Sequence, residues 1–474
     1  MRKKTLLLLL MISLSVVAFA QKKEVHILSM NDMHAAMDKF PQLAAVADSL
    51  RAIDPALLIF SAGDNRTGNP LNDLYEIPAY PMVALMNQIG FNATALGNHE
   101  FDSHPEGLAR LIGLSNFRYL CANIQSDPSL NLRTIPYQFF DVNGVRVCVI
   151  GAIQLGVHGI PDTHPNNVKG ITFTPVKEAI SQYERLSKES DVIILLSHIG
   201  YEADVEMAKT FPWIDLIIGG HSHTQLTGGE MHGGVLVTQD ANRLGKVTYT
   251  TLTVENGKVT DKKAENIDIE SFPRKNKIVD NMVTFFSDNP AFRKVLAVAD
   301  TPFENFEELG CMMCDAVREE TGADICLLNA GGIRYDTHPA GDFTVSDVLA
   351  LDPFGNTAVE MTITAEELRQ MILSCHHADE CRLPYLSGIQ CEVAYNNGDP
   401  SKIKSLKLLT MDGKNISKKK TFKVVTNSYT AAISDSPRKD QGTDLNRETS
   451  DMTIKFLEKQ KHVSYQGVKR ILVK

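Results

Sequence analysis

Short apolar runs alternate with polar, glycine-rich segments over the first half of the chain. Five of these runs are mostly aliphatic and are bounded by Gly, Asn or Ser, a pattern typical of buried β-strands. Helical stretches such as residues 40–53 and 176–187 separate them. This alternation predicts an α/β domain over about residues 24–269. The predicted strands cover residues 25–28, 57–60, 93–96, 192–196 and 216–218.

Side chains that bind hard metal ions follow each of the five predicted strands. In layered α/β sheets, ligands collect at the carboxyl ends of the strands. Mixed carboxylate, amide and imidazole ligands suit Mn, Fe, Co, Zn or Ca better than a thiolate site would. Each ending alone has a structural explanation, such as an Asp in a turn, but their recurrence predicts a metal centre. The endings are Asn31-Asp32-Met33-His34, Gly63-Asp64, Gly97-Asn98-His99-Glu100-Phe101-Asp102, Ser197-His198 and Gly220-His221-Ser222-His223.

The spacing of these residues indicates how they meet the ions. Asp32 and His34 are two residues apart, so on an extended strand both side chains lie on one face and can bind one ion. Gly63 allows a sharp turn before Asp64, whose carboxylate can bridge two ions. Two ions roughly 3.5–4 Å apart that share a carboxylate are typical of enzymes that hydrolyse phosphate esters.

The character of the chain changes after residue 270. Pro273 and two lysines precede a helical stretch at residues 278–286, which predicts an interdomain connector over residues 271–300. A second domain is predicted over residues 301–474, since 474 residues exceed the usual size of one core. It opens with a helix and then a strand at residues 325–328.

The first 20 residues have the layout of a secretory signal. Three basic residues precede an apolar stretch that ends at Val17, and Ala18-Phe19-Ala20 supplies a cleavage site. An uncleaved anchor is the alternative, but the apolar stretch is short for a membrane span. We therefore expect a periplasmic or secreted protein with no membrane anchor after cleavage.

The charge of the chain argues against a nucleic-acid polymer as its partner. Removing the signal deletes three basic residues and no acidic ones, so the formal net charge changes from −9 to −12. An acidic surface without a long basic run does not favour binding to DNA or RNA. A small phosphate substrate remains compatible, because bound metal ions locally reverse the field. Composition does not indicate the oligomeric state.

The eight cysteines show no repeated framework, and six of them follow residue 310. Cys311 and Cys314 form a single CxxC within a predicted helix, which is weak support for a redox or zinc site. The cluster Cys375-His376-His377 with Cys381 favours a disulfide or plain packing over metal binding.

Taken together, the five endings resemble the signature of the calcineurin-like metallophosphoesterases. Phe101-Asp102, the signal segment and the second domain narrow the resemblance to exported 5'-nucleotidases and UDP-sugar hydrolases. It implies an αββα sandwich over residues 21–270, followed by a smaller α+β substrate-binding domain. It also implies two divalent ions, one held by Asp32, His34, Asp64 and His223 and the other by Asp64, Asn98, His198 and His221.

The resemblance identifies His99 as the catalytic histidine, paired with Asp102. Physically, an imidazolium near the phosphate would stabilise developing charge or protonate the leaving oxygen, and a carboxylate would orient it. The two residues are three apart, which suits a direct contact if the chain turns helical after Gly97.

In the second domain the resemblance implies a nucleotide pocket. Glycines let the backbone approach a ligand closely, and an Arg can form a fork with a phosphate. Phe354 and Tyr429 would stack on the base, and Asp435 would bind ribose hydroxyls. The full set is Asn329, Gly331, Gly332, Arg334, Phe354, Asn356, Tyr429 and Asp435.

Two departures from the family keep other substrates open. The family's late Gly-Gly-Asp-Gly turn is replaced here by Ile433-Ser434-Asp435-Ser436. Many members also carry an Arg shortly before the position of Gly310, whereas this chain has no Lys or Arg between Lys294 and Arg318. The same metal chemistry could act on UDP-sugars, 2',3'-cyclic nucleotides, or another phosphate or sulfur ester. A non-catalytic binding protein is a further alternative, which the paired His99 and Asp102 disfavour.

Overall fold

Two six-stranded sheets form the centre of the first domain. We describe residues 22–379 and 381–474 from a computed structural model; the predicted signal peptide, residues 1–20, lies outside this range. In order across the first sheet, the strands are Lys258–Asp268, Lys246–Glu255, Lys23–Met30, Leu58–Ser61, Ala93–Ala95 and Arg118–Leu120. Those of the second are Glu230–His232, Val235–Thr238, Leu216–Ile218, Val192–His198, Val145–Ile153 and Tyr137–Val142.

The two sheets pack face to face, and helices cover their outer faces. Fully buried side chains such as Ile27, Phe60 and Val149 fill the space between the sheets. Apolar helix faces cover both outer sides, which removes further apolar surface from water. The αββα sandwich expected from the family resemblance is therefore confirmed. The helices are Phe40–Arg51, Tyr80–Ile89 and His104–Leu114 on one side, and Val176–Ser181 and Tyr201–Thr210 on the other.

The direction of the strands positions the functional site. Lys23–Met30 pairs in parallel with Leu58–Ser61, and Val192–His198 pairs in parallel with Leu216–Ile218. The carboxyl ends of parallel neighbours meet at one edge of a sheet, so the five polar endings converge. The hairpin Lys246–Glu255 and Lys258–Asp268 closes the outer edge of the first sheet.

The connector begins as a helix that packs on the first domain. Asn276 caps helix Lys277–Phe286 by accepting hydrogen bonds from the backbone N–H groups of Ile278 and Val279, at 3.0 and 3.2 Å. Val279 and Phe286 are buried against the first domain. The strand Val295–Ala299, however, pairs with Gly341–Thr344. The first strand of the second domain thus lies inside the range that we assigned to the connector.

The second domain is α+β, with a five-stranded mixed sheet and two three-stranded sheets. All eight cysteines are unpaired, and seven are buried. Cys311 and Cys314 are fully buried, so the CxxC motif packs in the core, and this burial raises the pKa of both thiols. Within the described ranges, no helix is long and apolar enough to cross a membrane. The five strands are Tyr385–Ser387, Ile325–Leu328, Thr421–Asn427, Thr357–Thr364 and Thr443–Glu448, and the longer helices are Phe306–Thr321, Ala365–Ala378 and Thr449–Gln460.

Candidate metal centre

Most of the predicted metal ligands lie in loops and have a left-handed backbone, whereas Asn98 opens a 3₁₀ helix and His198 ends a strand. Five of them have positive φ: 47° at Asp32, 43° at His34, 50° at Asp64, 79° at His221 and 52° at His223. Non-glycine residues adopt this region at a cost, and such positions cluster at functional sites. Our expectation that Asp32 and His34 share one face of an extended strand is wrong, because that strand ends at Met30. The loop beyond it brings the two side chains together instead.

The first group of ligands consists of Asp32, His34 and His223. The Nε2 atom of His223 lies 3.3 Å from Asp32 Oδ1 and 3.1 Å from His34 Nε2. All three ligand atoms lie within 4.8 Å of one another. One carboxylate and two imidazoles in this arrangement fit a divalent transition metal.

The second group surrounds Asp64 and Asn98. Asp64 Oδ2 lies 3.3 Å from His198 Nε2. The Asn98 Oδ1 atom lies 3.3 Å from the same Nε2 and 3.2 Å from His221 Nδ1. The seven predicted ligands therefore converge at one place, and their donor set fits two divalent cations.

Backbone carbonyls orient the ligand imidazoles. His34 Nδ1 lies 3.1 Å from the carbonyl oxygen of Thr67, and His198 Nδ1 lies 2.7 Å from that of Ala62. Each contact points the Nε2 atom into the cluster, as is usual for metal-binding histidines.

Burial and neighbouring charges shift the pKa values of the ligand side chains in different directions. Burial raises the pKa of the Asp64 carboxyl, but His198 and His99 outweigh burial and hold this pKa well below its ordinary value. Burial and the Arg334 guanidinium hold the pKa of His34 well below its ordinary range. Burial lowers the pKa of His198, yet Asp64 raises it to about 10. These charges favour a proton on His198 when no metal is bound, and a bound metal ion competes with that proton.

Glu100 shapes the centre, although we assigned no role to it from the sequence. Its buried carboxylate accepts hydrogen bonds from the backbone N–H groups of Gly97 at 2.6 Å, Asp64 at 2.9 Å and Asn65 at 2.9 Å. It thereby holds together two loops that carry ligands. The position of Glu100 directly after His99 in the motif is the sequence feature that could have indicated this role.

We expect Gly97→Ala to disrupt the centre. A Cβ atom at this position would lie 2.1 Å from Asp64 Oδ1 and 2.5 Å from the Asp64 backbone nitrogen, so a loop must shift. Overpacking of this kind costs about 1–3 kcal/mol. Thermal unfolding with and without manganese should show a less stable protein whose stabilisation by metal is reduced.

Gly113→Ala is the matched control for that variant. Gly113 lies in helix His104–Leu114, and an added Cβ meets no atom within 4 Å. Ala favours a helix over Gly by roughly 1 kcal/mol, so stability should be unchanged or higher and the metal effect intact. Equal behaviour of the two variants would contradict the packing argument.

His99 and Asp102 form the predicted pair next to the ligand cluster. Both lie in the 3₁₀ helix Asn98–Ser103, and His99 Nδ1 is 2.8 Å from Asp102 Oδ2. The Thr67 hydroxyl donates to the same carboxylate oxygen at 2.7 Å. Burial lowers the pKa of His99, but Asp64 and Asp102 outweigh it and raise this pKa above its ordinary value. The imidazole is thus oriented and favoured in its protonated form.

A cavity of about 190 Å³ joins the metal centre to the second domain. Arg334 crosses the gap, with its Nη2 atom 3.4 Å from His34 Nε2. The Phe354 ring stacks on His99 with centroids 5.7 Å apart. Seven of the eight predicted substrate residues line this cavity, namely Asn329, Gly331, Gly332, Arg334, Phe354, Asn356 and Tyr429.

Known families match both halves of this arrangement. A family model described as calcineurin-like phosphoesterase matches residues 25–225, and one described as 5'-nucleotidase, C-terminal domain, matches residues 290–436. The chain belongs to the calcineurin-like phosphoesterases that carry a 5'-nucleotidase C-terminal domain.

Relatives and solved structures agree with this family. The phosphoesterase is 28% identical to a 5'-nucleotidase of Vibrio cholerae over 82% of this chain and 80% of that protein. It is 26% identical to protein UshA of Yersinia enterocolitica over 81% of this chain and 79% of that one. The structure of a 5'-nucleotidase precursor from Thermus thermophilus superposes with a TM-score of 0.84, covering 95% of this chain and 99% of that one at 23% identity. That likeness shows the shared fold.

One predicted substrate residue of the phosphoesterase lies elsewhere. Asp435 is not among the residues that line the cavity, and its side chain is 81% exposed. Its carboxylate lies 3.5 Å from His158 Nδ1 of the first domain. The short helix Ser428–Ile433 ends before Asp435 and leads the chain away from the cavity. Asp435 therefore lies outside this cavity, and its role as a ribose ligand stays a prediction.

Among the cavity residues that the sequence analysis missed are two acids and one arginine: Asp162, Asp379 and Arg382. Asp162 Oδ2 lies 3.5 Å from His221 Nε2, and its carbonyl oxygen accepts a hydrogen bond from Asn98 Nδ2 at 3.1 Å. No motif marks Asp162. The other two residues flank Cys381, in a segment that we attributed to packing or a disulfide.

Proposed function

We propose that the protein hydrolyses nucleoside 5'-monophosphates to nucleoside and phosphate. The observation that carries this proposal is the shared cavity, in which the metal ligands and His99 face Arg334 and two aromatic rings of the second domain. A phosphate group would bind where the metal ligands and Arg334 meet, and a nucleobase would stack on the rings of Phe354 and Tyr429. The 5'-nucleotidases among the relatives support the same substrate class.

We further propose two divalent ions of Mn, Zn, Co, Fe or Ca. One would be held by Asp32, His34, Asp64 and His223, and the other by Asp64, Asn98, His198 and His221. When bound, such a pair supplies a hydroxide nucleophile and neutralises phosphate charge.

The protein's own side chains then perform the remaining tasks. His99 holds a proton at Nε2 because Asp102 engages Nδ1, so it can protonate the leaving ribose oxygen. Arg334 binds the phosphate beside His34. Asn329 is held by hydrogen bonds from Asn427 and Thr430, at 3.0 and 3.3 Å, which fix its amide at the cavity wall.

The N-terminal segment supports export to the periplasm or secretion from the cell. The mass of the protein recovered from the periplasm or medium should correspond to a chain that begins at Gln21. Recovery of the full-length chain from the cytosol alone would contradict export.

A substrate panel tests the activity. The hydrolysis products of AMP, UMP, UDP-glucose, a 2',3'-cyclic nucleotide and an aryl phosphate would be measured with residues 21–474 and added manganese or cobalt. We expect the two monophosphates to give the highest kcat/KM. Turnover of the aryl phosphate without either monophosphate would retain the metal centre and overturn the nucleotide assignment.

A further inference from the structure

The opening of helix Phe306–Thr321 does not reach the cavity. The residues before and at its start are acidic, where the family resemblance leads us to expect an Arg. Glu307 Oε1 accepts hydrogen bonds from the backbone N–H groups of Arg470 and Ile471, at 2.8 and 3.0 Å. Glu308 accepts one from Gly467 at 2.7 Å. These acids therefore face the C-terminal segment, and neither lines the cavity.

Tyr385 covers the same end of the helix. A Cβ atom at Gly310 would lie 2.3 Å from the Tyr385 ring, so the helix and the ring are in close contact. No Lys or Arg lies between Lys294 and Arg318, so this helix start brings no cation toward the substrate.

Arg382 brings a second positive charge into the cavity from another segment. Among the described residues that line the cavity, Arg334 and Arg382 carry the permanent positive charges. They enter from different parts of the chain, Arg334 after strand Ile325–Leu328 and Arg382 after helix Ala365–Ala378.

Asp379 couples Arg382 to the Gly331-Gly332 turn. Its Oδ2 atom accepts a hydrogen bond from the Gly331 backbone N–H at 2.8 Å, and its Oδ1 atom accepts one from Arg382 Nη2 at 2.9 Å. A Cβ atom at Gly331 would lie 3.4 Å from Arg382 Nη2. The carbonyl of Gly331 faces the other way, 3.5 Å from Arg334 Nη1. The two guanidinium groups thus flank one glycine of the turn.

We propose that Arg382 binds the phosphate group of the substrate and replaces the Arg that is missing from helix Phe306–Thr321. Its side chain is 49% exposed, whereas that of Asp379 is 11% exposed, so a held carboxylate positions a cation that still faces the open cavity. A guanidinium can present two N–H groups to a phosphate while a third contacts Asp379. This role of Arg382 rests on the proposed function only where the substrate is called a nucleotide, because any phosphate ester would make the same contact.

Arg382→Ala and Arg382→Lys test this role with two substrates, AMP and an aryl phosphate. Loss of one charge-assisted contact corresponds to a KM increase of about 10- to 100-fold. We expect that increase for both substrates in Arg382→Ala and a smaller one in Arg382→Lys, which keeps the charge but not the fork. Inhibition by adenosine, which lacks a phosphate, should be unchanged.

Arg293→Ala is the matched control. Arg293 is an exposed arginine that pairs with a single acid, Asp288, at 3.2 Å, and it does not line the cavity. The KM values of the Arg293→Ala variant for both substrates should equal those of the parent protein. Circular dichroism and melting temperature would verify that the Arg382 variants fold.

The outcomes separate the two proposals. A higher KM for AMP alone, with weaker inhibition by adenosine, would place Arg382 on the nucleoside and overturn its phosphate role. Unchanged KM values for every substrate would overturn it as well. Failure of the parent protein to hydrolyse AMP would overturn the nucleotidase proposal, and the aryl phosphate would still decide the role of Arg382.

Discussion

Asp64→Asn is expected to lower phosphate release by at least about a thousandfold and to remove bound metal. Asp64 belongs to two of the three groups of ligand atoms that lie within 4.8 Å of one another. Asn keeps the shape of the side chain and can still accept the hydrogen bond from the His99 backbone N–H, now 2.9 Å long. The substitution therefore removes charge while the fold remains.

Metal content after desalting and phosphate release under saturating manganese are the two measurements. Asp38→Asn serves as control, because Asp38 is an exposed carboxylate in the 3₁₀ helix Met37–Lys39, outside the ligand cluster. It should retain full metal and activity. A variant at Asp64 that kept both ions and the parental turnover would contradict the role of Asp64 as a shared ligand.

His99→Ala is expected to lower kcat by roughly 10²- to 10⁴-fold with little change in metal content. The imidazole lies beside the cluster and is held by Asp102, so its removal takes away a proton donor but none of the seven ligands. The phenol that leaves from an aryl phosphate has a lower pKa than the ribose hydroxyl that leaves from AMP, so it needs less protonation. The loss should thus be smaller for an aryl phosphate than for AMP.

His104→Ala is the natural comparison for that variant, since His104 is an exposed histidine five residues further along the chain. It should behave like the parent protein. Equal losses for AMP and the aryl phosphate in His99→Ala would argue against protonation of the leaving oxygen. A large loss of metal would instead make His99 a ligand.

The strands and the residues that follow them could be predicted because both signals are local. An apolar run and the polar residues after it are contiguous in the sequence, and parallel pairing then brings their ends to one edge. The contact between His99 and Asp102 depends only on a spacing of three residues and a helical turn. Packing of distant segments is not needed to anticipate either feature.

The cavity itself follows from contacts between distant segments, which no local pattern specifies. The family resemblance implies a ribose contact for Asp435, but its carboxylate lies beside His158 of the other domain. The acids of helix Phe306–Thr321 bind the C-terminal segment instead of facing a substrate. Arg382 became a candidate only when Asp379 was seen to hold it against the Gly331 turn, about fifty residues earlier in the chain. The sequence alone thus determines which residues could hold metal ions, because they follow local strand signals, whereas tertiary packing decides which charged side chains line the cavity.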